Sequence, residues 1–84
     1  IMVDMNTSLQ DLFEIVIRTL DDVKTGESFI VKELFRGFEW NRIKKGNRTK
    51  LGSMVLAYAN SNDGSSVIEP LGKTPQNQQI YKKL

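Results

Sequence analysis

The run Phe38-Glu39-Trp40-Asn41-Arg42-Ile43-Lys44-Lys45-Gly46-Asn47-Arg48-Thr49-Lys50 decides how the rest of the chain is read. After Glu39 it holds five cations, Arg42, Lys44, Lys45, Arg48 and Lys50, and no further acid; Trp40 stands near its front and Gly46-Asn47 breaks its middle. Closely spaced cations repel one another and gain most from a polyanion whose counterions they release, so phosphate is the partner that suits this patch. A solvated loop and helix face would have the same composition, and the flanking segments decide between the two readings.

Downstream, Asn47 reads as a helix cap, and Arg48 to about Asn60 as a long helix whose buried stripe is Leu51, Val55 and Tyr58, with Met54 and Ala59 beside them. Gly52 falls inside that pattern, where glycine costs about 1 kcal/mol against alanine, and predicts a close helix crossing or a close backbone approach. The partial positive charge at the helix start adds to Arg48 and Lys50, so a phosphate there is doubly favoured. Past the polar loop Ser61–Ser66, Val67–Leu71 and Gln79–Lys83 read as two strands of an antiparallel hairpin. Its projecting G-K-T-P-Q-N-Q tip carries Lys73 together with Gln76, Asn77 and Gln78.

Upstream, Ser8 and Asp11 form a cap-like start, and Leu9, Leu12, Phe13, Val16, Ile17, Leu20 and Val23 recur at helical spacing. This predicts one amphipathic helix to about Lys24, stopped at Thr25-Gly26, with Ile1–Asn6 frayed ahead of it. Glu27–Phe35 predicts a brief strand leading into a short helix that Gly37 ends, with Phe38–Lys44 as a turn or a single helical turn. Phe35, Phe38 and Trp40 form an aromatic cluster that suits either a core or a ring face for a stacked base. Phe38, Trp40 and Tyr81 are the aromatics expected nearest to basic side chains.

The 84 residues amount to one domain, 1–84, with a single modest core and no room for a deep cleft. With no cysteine and no histidine, disulfides, thiol nucleophiles, Cys/His zinc sites and the commonest general base are all excluded. The acids are scattered, so neither a metal nor another cofactor is expected, and the chain is not expected to be an enzyme. No apolar run approaches a membrane span and no signal-peptide pattern opens the chain, which predicts a cytoplasmic protein without a membrane partner. Residues 1–27 carry six acids against two bases, net −4, and residues 28–84 carry ten bases against four acids, net +6. Such asymmetry points to a polyanion facing the basic part.

Helix, strand, helix, turn, basic helix and hairpin follow one another as in a winged helix-turn-helix domain. The expected fold is therefore α+β, a three-helix bundle with a C-terminal β-hairpin wing. The segments F-I-V-K-E-L-F (29–35), G-F-E-W-N (37–41), G-N-R-T-K-L-G (46–52) and I-E-P-L-G-K-T-P-Q-N-Q-Q-I-Y-K-K (68–83) also resemble a family of small Firmicute proteins long described only as a domain of unknown function. Members of that family occur on staphylococcal cassette chromosome elements. The resemblance covers about Phe29–Lys83, with Trp40-Asn41 and the R-x-x-L-G step of Arg48–Gly52 its most specific parts. It implies a winged-helix protein that binds single-stranded DNA in support of replication or transfer of a mobile element.

On these grounds the expected nucleic-acid-binding residues are Trp40, Arg42, Lys44, Lys45, Arg48, Lys50, Lys73 and Tyr81. Single-stranded DNA is the expected partner, with replication proteins and further copies of the chain on the same strand as the protein contacts such a role would allow. A duplex-reading transcription regulator is the alternative, and would need base-reading side chains on the third helix, where Arg48, Lys50, Ser53, Ala57 and Asn60 offer few. A winged helix that only contacts proteins would instead expose a large apolar patch.

Overall fold

Ser8 Oγ accepts the backbone N–H of Asp11 at 3.1 Å and opens α1 (Leu9–Leu20), as their spacing requires. The computed structural model describes residues 3–84, and within them α1 ends short of the expected Lys24. Lys83 Nζ donates to the carbonyl of Leu20, the last residue of α1, while the Glu27 carboxylate takes the N–H of Lys24 at 2.7 Å. These contacts turn the chain early, and Gly26, at φ +93°, adopts the left-handed conformation that the turn into the sheet needs.

Two further glutamates repeat the device. Glu33 accepts the N–H of Ile30 at 2.9 Å where β1 (Ser28–Ile30) passes into a 3-10 turn (Val31–Leu34), and Glu39 accepts that of Arg36 at 3.3 Å where α2 (Gly37–Arg42) begins. Gly37 therefore opens a helix instead of ending one. The 3-10 turn closes without it, since Phe35, buried and extended at φ −120°, already leads the chain away.

A similar correction applies to α3 (Lys45–Ala59), which starts one turn before the expected Asn47 cap. Ile43 is buried in an extended conformation and fixes Lys44 as the last extended residue, so burial of Ile43 sets the helix start without any side-chain cap. Gly46 and Asn47 are left inside the first turn. Leu51, Val55 and Ala59 line the buried face of α3, packed on Leu12, Val16 and Leu20 of α1, whereas Tyr58, expected in that stripe, is only half-buried with its ring edge-on to Phe13. Gly64 brings the following loop against the helix end so closely that a Cβ there would stand 1.9 Å from the Tyr58 carbonyl oxygen.

β2 (Ile68–Lys73) and β3 (Gln79–Lys83) form the expected antiparallel hairpin, and β1 joins its other side, so the sheet order is β1-β3-β2 with β3 in the middle. The result is α+β: three α-helices beside a three-stranded antiparallel sheet. Pro70 lies on edge strand β2, where a missing N–H costs no ladder bond on the outer side. The pairing slips between Pro70 and Lys73, and the Gln79 side-chain amide donates to the carbonyls of Leu71 at 2.8 Å and Gly72 at 3.2 Å, groups the bulge would otherwise leave open.

The N-terminal segment is held from Val3 onward. Val3 is only 1% exposed, its carbonyl accepts from Arg42 Nη1 at 3.0 Å, and Asp4 binds the N–H of Asn6 at 2.7 Å. The fraying expected for Ile1–Asn6 does not extend to these residues; Ile1 and Met2 lie outside the described part.

Candidate nucleic-acid interface

Residues three and four apart on a helix share one face, and on α3 the sequence places Lys45, Arg48, Thr49, Gly52, Ser53 and Leu56 on such a stripe. This stripe forms one wall of a groove of about 630 Å³; the hairpin tip, with Lys73 and Gln76–Gln78, forms the other, and Ile30, Val31, Lys32, Trp40, Gln79 and Tyr81 complete the lining. Four cations, Lys32, Lys45, Arg48 and Lys73, line the groove, and no acid does. The acids of α1 lie elsewhere, so the charge imbalance seen along the sequence becomes a local positive potential in a concave site, where low-dielectric walls strengthen it. A second depression, beside β1 and Gly37 and with Glu33 in its lining, shares Ile30, Lys32, Gln76 and Gln78 with the first.

The tip is ordered by its own bonds. Thr74 N–H donates to the Gln78 carbonyl at 2.9 Å, Thr74 Oγ1 accepts the N–H of Gln78 at 3.1 Å, and Asn77 takes the left-handed conformation at φ 67° with its N–H on the Thr74 carbonyl at 2.8 Å. A short side chain such as asparagine's tolerates that region, so the T-P-Q-N run is a turn with a mechanism. Lys73 is thereby held at the groove rim.

The expected site residues divide into distinct groups. Lys45, Arg48, Lys73 and Trp40 come together at the groove. Arg48 packs its guanidinium over the Trp40 ring at 5.6 Å and donates to the Asn41 carbonyl at 3.4 Å. Trp40 is half-buried, its other neighbour being Phe35 at 5.7 Å, so it is both a core residue and a partly open ring. Lys44 and Lys50 are exposed but do not line the groove. Arg42 turns to the N-terminal segment through its bond to Val3, and its guanidinium sits 5.0 Å from the centre of the Phe38 ring.

Tyr81 also lines the groove, but as a buried residue and not as an open ring. It is 0% exposed in the central strand, opposite Phe29 and Pro70, with its ring stacked on that of Phe29 at 5.9 Å. No face of the ring is open for a base, and burial pushes its hydroxyl pKa up to about 12. The third aromatic, Phe38, is 50% exposed, but Arg36 and Arg42 both lie over its ring, at 5.1 and 5.0 Å. Lys32 is the groove cation that sequence reasoning missed. It joins the others only because the hairpin tip folds back over β1, and nothing in its local V-K-E context signals that.

Apart from the groove, Arg36 and Glu39 form an ion pair at 3.0 Å, and the hydrogen bond from Arg36 holds the Glu39 carboxyl below the usual carboxylate range. Among the described residues no three acids gather as a metal site would need, and no helix is long and apolar enough to cross a membrane.

An acid-free groove lined by four cations thus lies between a helix and a hairpin on a small α+β scaffold. Residues 14–83 match the model of the family described as Domain of unknown function (DUF1413), and the chain belongs to that family. No curated protein and no solved structure matches it.

Proposed function

We propose that this chain is a winged-helix domain that binds single-stranded DNA largely independently of sequence, without catalysis. In this reading α2 and α3 are the helix-turn-helix and the hairpin of β2 and β3 is the wing. The pairing of a short strand between the first two helices with the last strand of the hairpin supports it. The observation that carries the reading is the meeting of Lys45 and Arg48 on α3 with Lys73 on the hairpin across one groove that contains no acid. Cations on opposite walls can follow a flexible backbone between them, and a half-open Trp40 at the end of the groove offers a surface for a base.

The face of α3 toward the groove favours this reading over that of a duplex regulator. Thr49 and Ser53 are short, and their hydroxyls donate back to the Lys45 and Thr49 carbonyls of their own helix, at 3.5 and 3.3 Å. Little remains on that wall to read base edges in a major groove. Support of replication or transfer of a mobile element is the setting that the sequence resemblance implies. The test is a titration with single- and double-stranded oligonucleotides of matched sequence at two salt concentrations. Tighter binding of the single strand, weakened by salt, is expected; equal or better binding of the duplex would replace this reading with that of a duplex regulator.

A further inference from the structure

A glycine in the middle of a helix needs a reason, and Gly52 finds none inside the protein. It lies well within α3, where alanine would make a more stable helix, and a Cβ built on it would meet nothing within 4 Å. The close helix crossing that its position predicts is absent; the space over its backbone belongs to the groove. Gly64 shows the contrast, since there the protein itself occupies the place of a side chain.

The same groove holds an independent anomaly. The two buried side-chain polar atoms without a hydrogen-bond partner among the described residues are Arg48 Nε and the Tyr81 hydroxyl, and both residues line it. Buried donors without partners are rare, and two behind one cavity wall suit a ligand that carries acceptors. Leu56, exposed beside Gly52, and Ile30 across from it give that wall an apolar surface, while Lys45 and Lys73 stand at the rim. The volume falls within the roughly 300 to 1,000 Å³ of small-molecule clefts.

We propose that the groove between α3 and the wing takes in one unstacked nucleobase of a bound strand, laid against the bare backbone of Gly52, with its edge toward Arg48 Nε and the Tyr81 hydroxyl. This rests on the nucleic-acid reading above and adds a base-binding subsite to it. The base lies flat on the Gly52–Leu56 wall and its phosphates meet Lys45 and Lys73, while its carbonyl and ring-nitrogen acceptors reach the two orphaned donors once the groove side chains that cover them swing aside. A methyl group at Gly52 would occupy the plane that the ring needs.

The experiment compares a fluorescently labelled oligothymidylate with a strand of equal length in which the central nucleotides are abasic, using wild type, Gly52→Ala and Tyr81→Phe, each with a thermal scan. Wild type is expected to prefer the base-bearing strand by tenfold or more. Gly52→Ala should narrow that gap to within about threefold while melting at the same temperature or higher, because alanine favours the helix. Tyr81→Phe, which removes an unpaired buried hydroxyl and so leaves the fold intact, should narrow the gap in part. Equal wild-type affinity for the two strands, or a Gly52→Ala protein with the full wild-type gap, overturns the base subsite while salt-dependent binding to both keeps the nucleic-acid reading. Failure of wild type to bind either strand at low salt overturns both, and is recognisably different.

Discussion

The guanidinium of Arg48 lies over the ring of Trp40, 5.6 Å from its centroid, and this pair joins α2 to α3 at the end of the cationic groove. Arg48 thereby serves packing and charge together, and lysine cannot replace it. An ammonium lacks the planar face that stacks on indole and the fork that reaches the Asn41 carbonyl. Arg48→Lys should weaken oligonucleotide binding about threefold or more despite its equal charge and shift Trp40 emission in the free protein. Binding equal to wild type, with an unchanged emission spectrum, would show that only the charge matters.

The groove cations predict a ranking among charge reversals. Lys45→Glu combined with Lys73→Glu places an acid on each wall and should weaken single-strand binding by at least tenfold, whereas Lys50→Glu, exposed but outside the groove, should cost less than threefold. Exposed lysines contribute little to stability, so both proteins should melt near the wild-type temperature. If Lys32, Lys45, Arg48 and Lys73 each meet one phosphate, log affinity against log salt should fall with a slope of about −3, at roughly −0.7 per contact. A slope near zero would remove the phosphate assignment.

The Arg36–Glu39 pair gives a pH dependence with a definite sign. The folded state holds the Glu39 carboxyl below its ordinary value, chiefly through the hydrogen bond from Arg36, so folding favours the ionised form. Its contribution is complete at neutral pH, begins to fall as the pH drops through the ordinary carboxylate range near 4.5, and is lost below the depressed folded value. Glu39→Gln should lower the melting temperature at pH 7 and make it less sensitive to acid between about pH 5 and 3 than wild type. Parallel melting curves for the two proteins across that range would mean that the pair contributes nothing.

Local chemistry carried much of this fold in readable form. The Ser8 cap, the stripe of α1 and the two strands of the hairpin are each written within a few residues, and they appear close to where the sequence puts them. What was not legible depends on distant partners. The end of α1 follows from Lys83, 63 positions away from Leu20, and the burial of Tyr81 follows from the pairing of β1 with β3, which leaves β3 as the middle strand. Arg42 looks like one more cation of the basic run until Val3 claims it. In the same way the groove is only half visible in the sequence: Lys45 and Arg48 announce themselves by clustering, whereas Lys32 is recruited by the return of the hairpin.

That return of the hairpin predicts an effect of a residue that lies in the groove lining and acts on it through the bulge. The amide of Gln79 donates to the Leu71 and Gly72 carbonyls and so bridges the bulge just before Lys73. Glutamate at the same position keeps the length but has no N–H to donate and sets a carboxylate beside two carbonyl oxygens. Gln79→Glu should therefore loosen the wing without unfolding the core, since the buried members Ile68 and Tyr81 are untouched. The expected result is faster amide exchange at Leu71–Gly72 and in the Thr74–Gln78 turn, a melting temperature lowered by only a few degrees, for about 1 kcal/mol, and single-strand affinity reduced about threefold or more as Lys73 loses its fixed place. The added negative charge would weaken binding by itself, so Gln79→Met, neutral and of similar length, is the control. It also lacks the donor and should reproduce the faster exchange and most of the loss of affinity. If Gln79→Met exchanges and binds like wild type, the bulge holds itself without the amide, and the wing's order rests on the Thr74 turn alone.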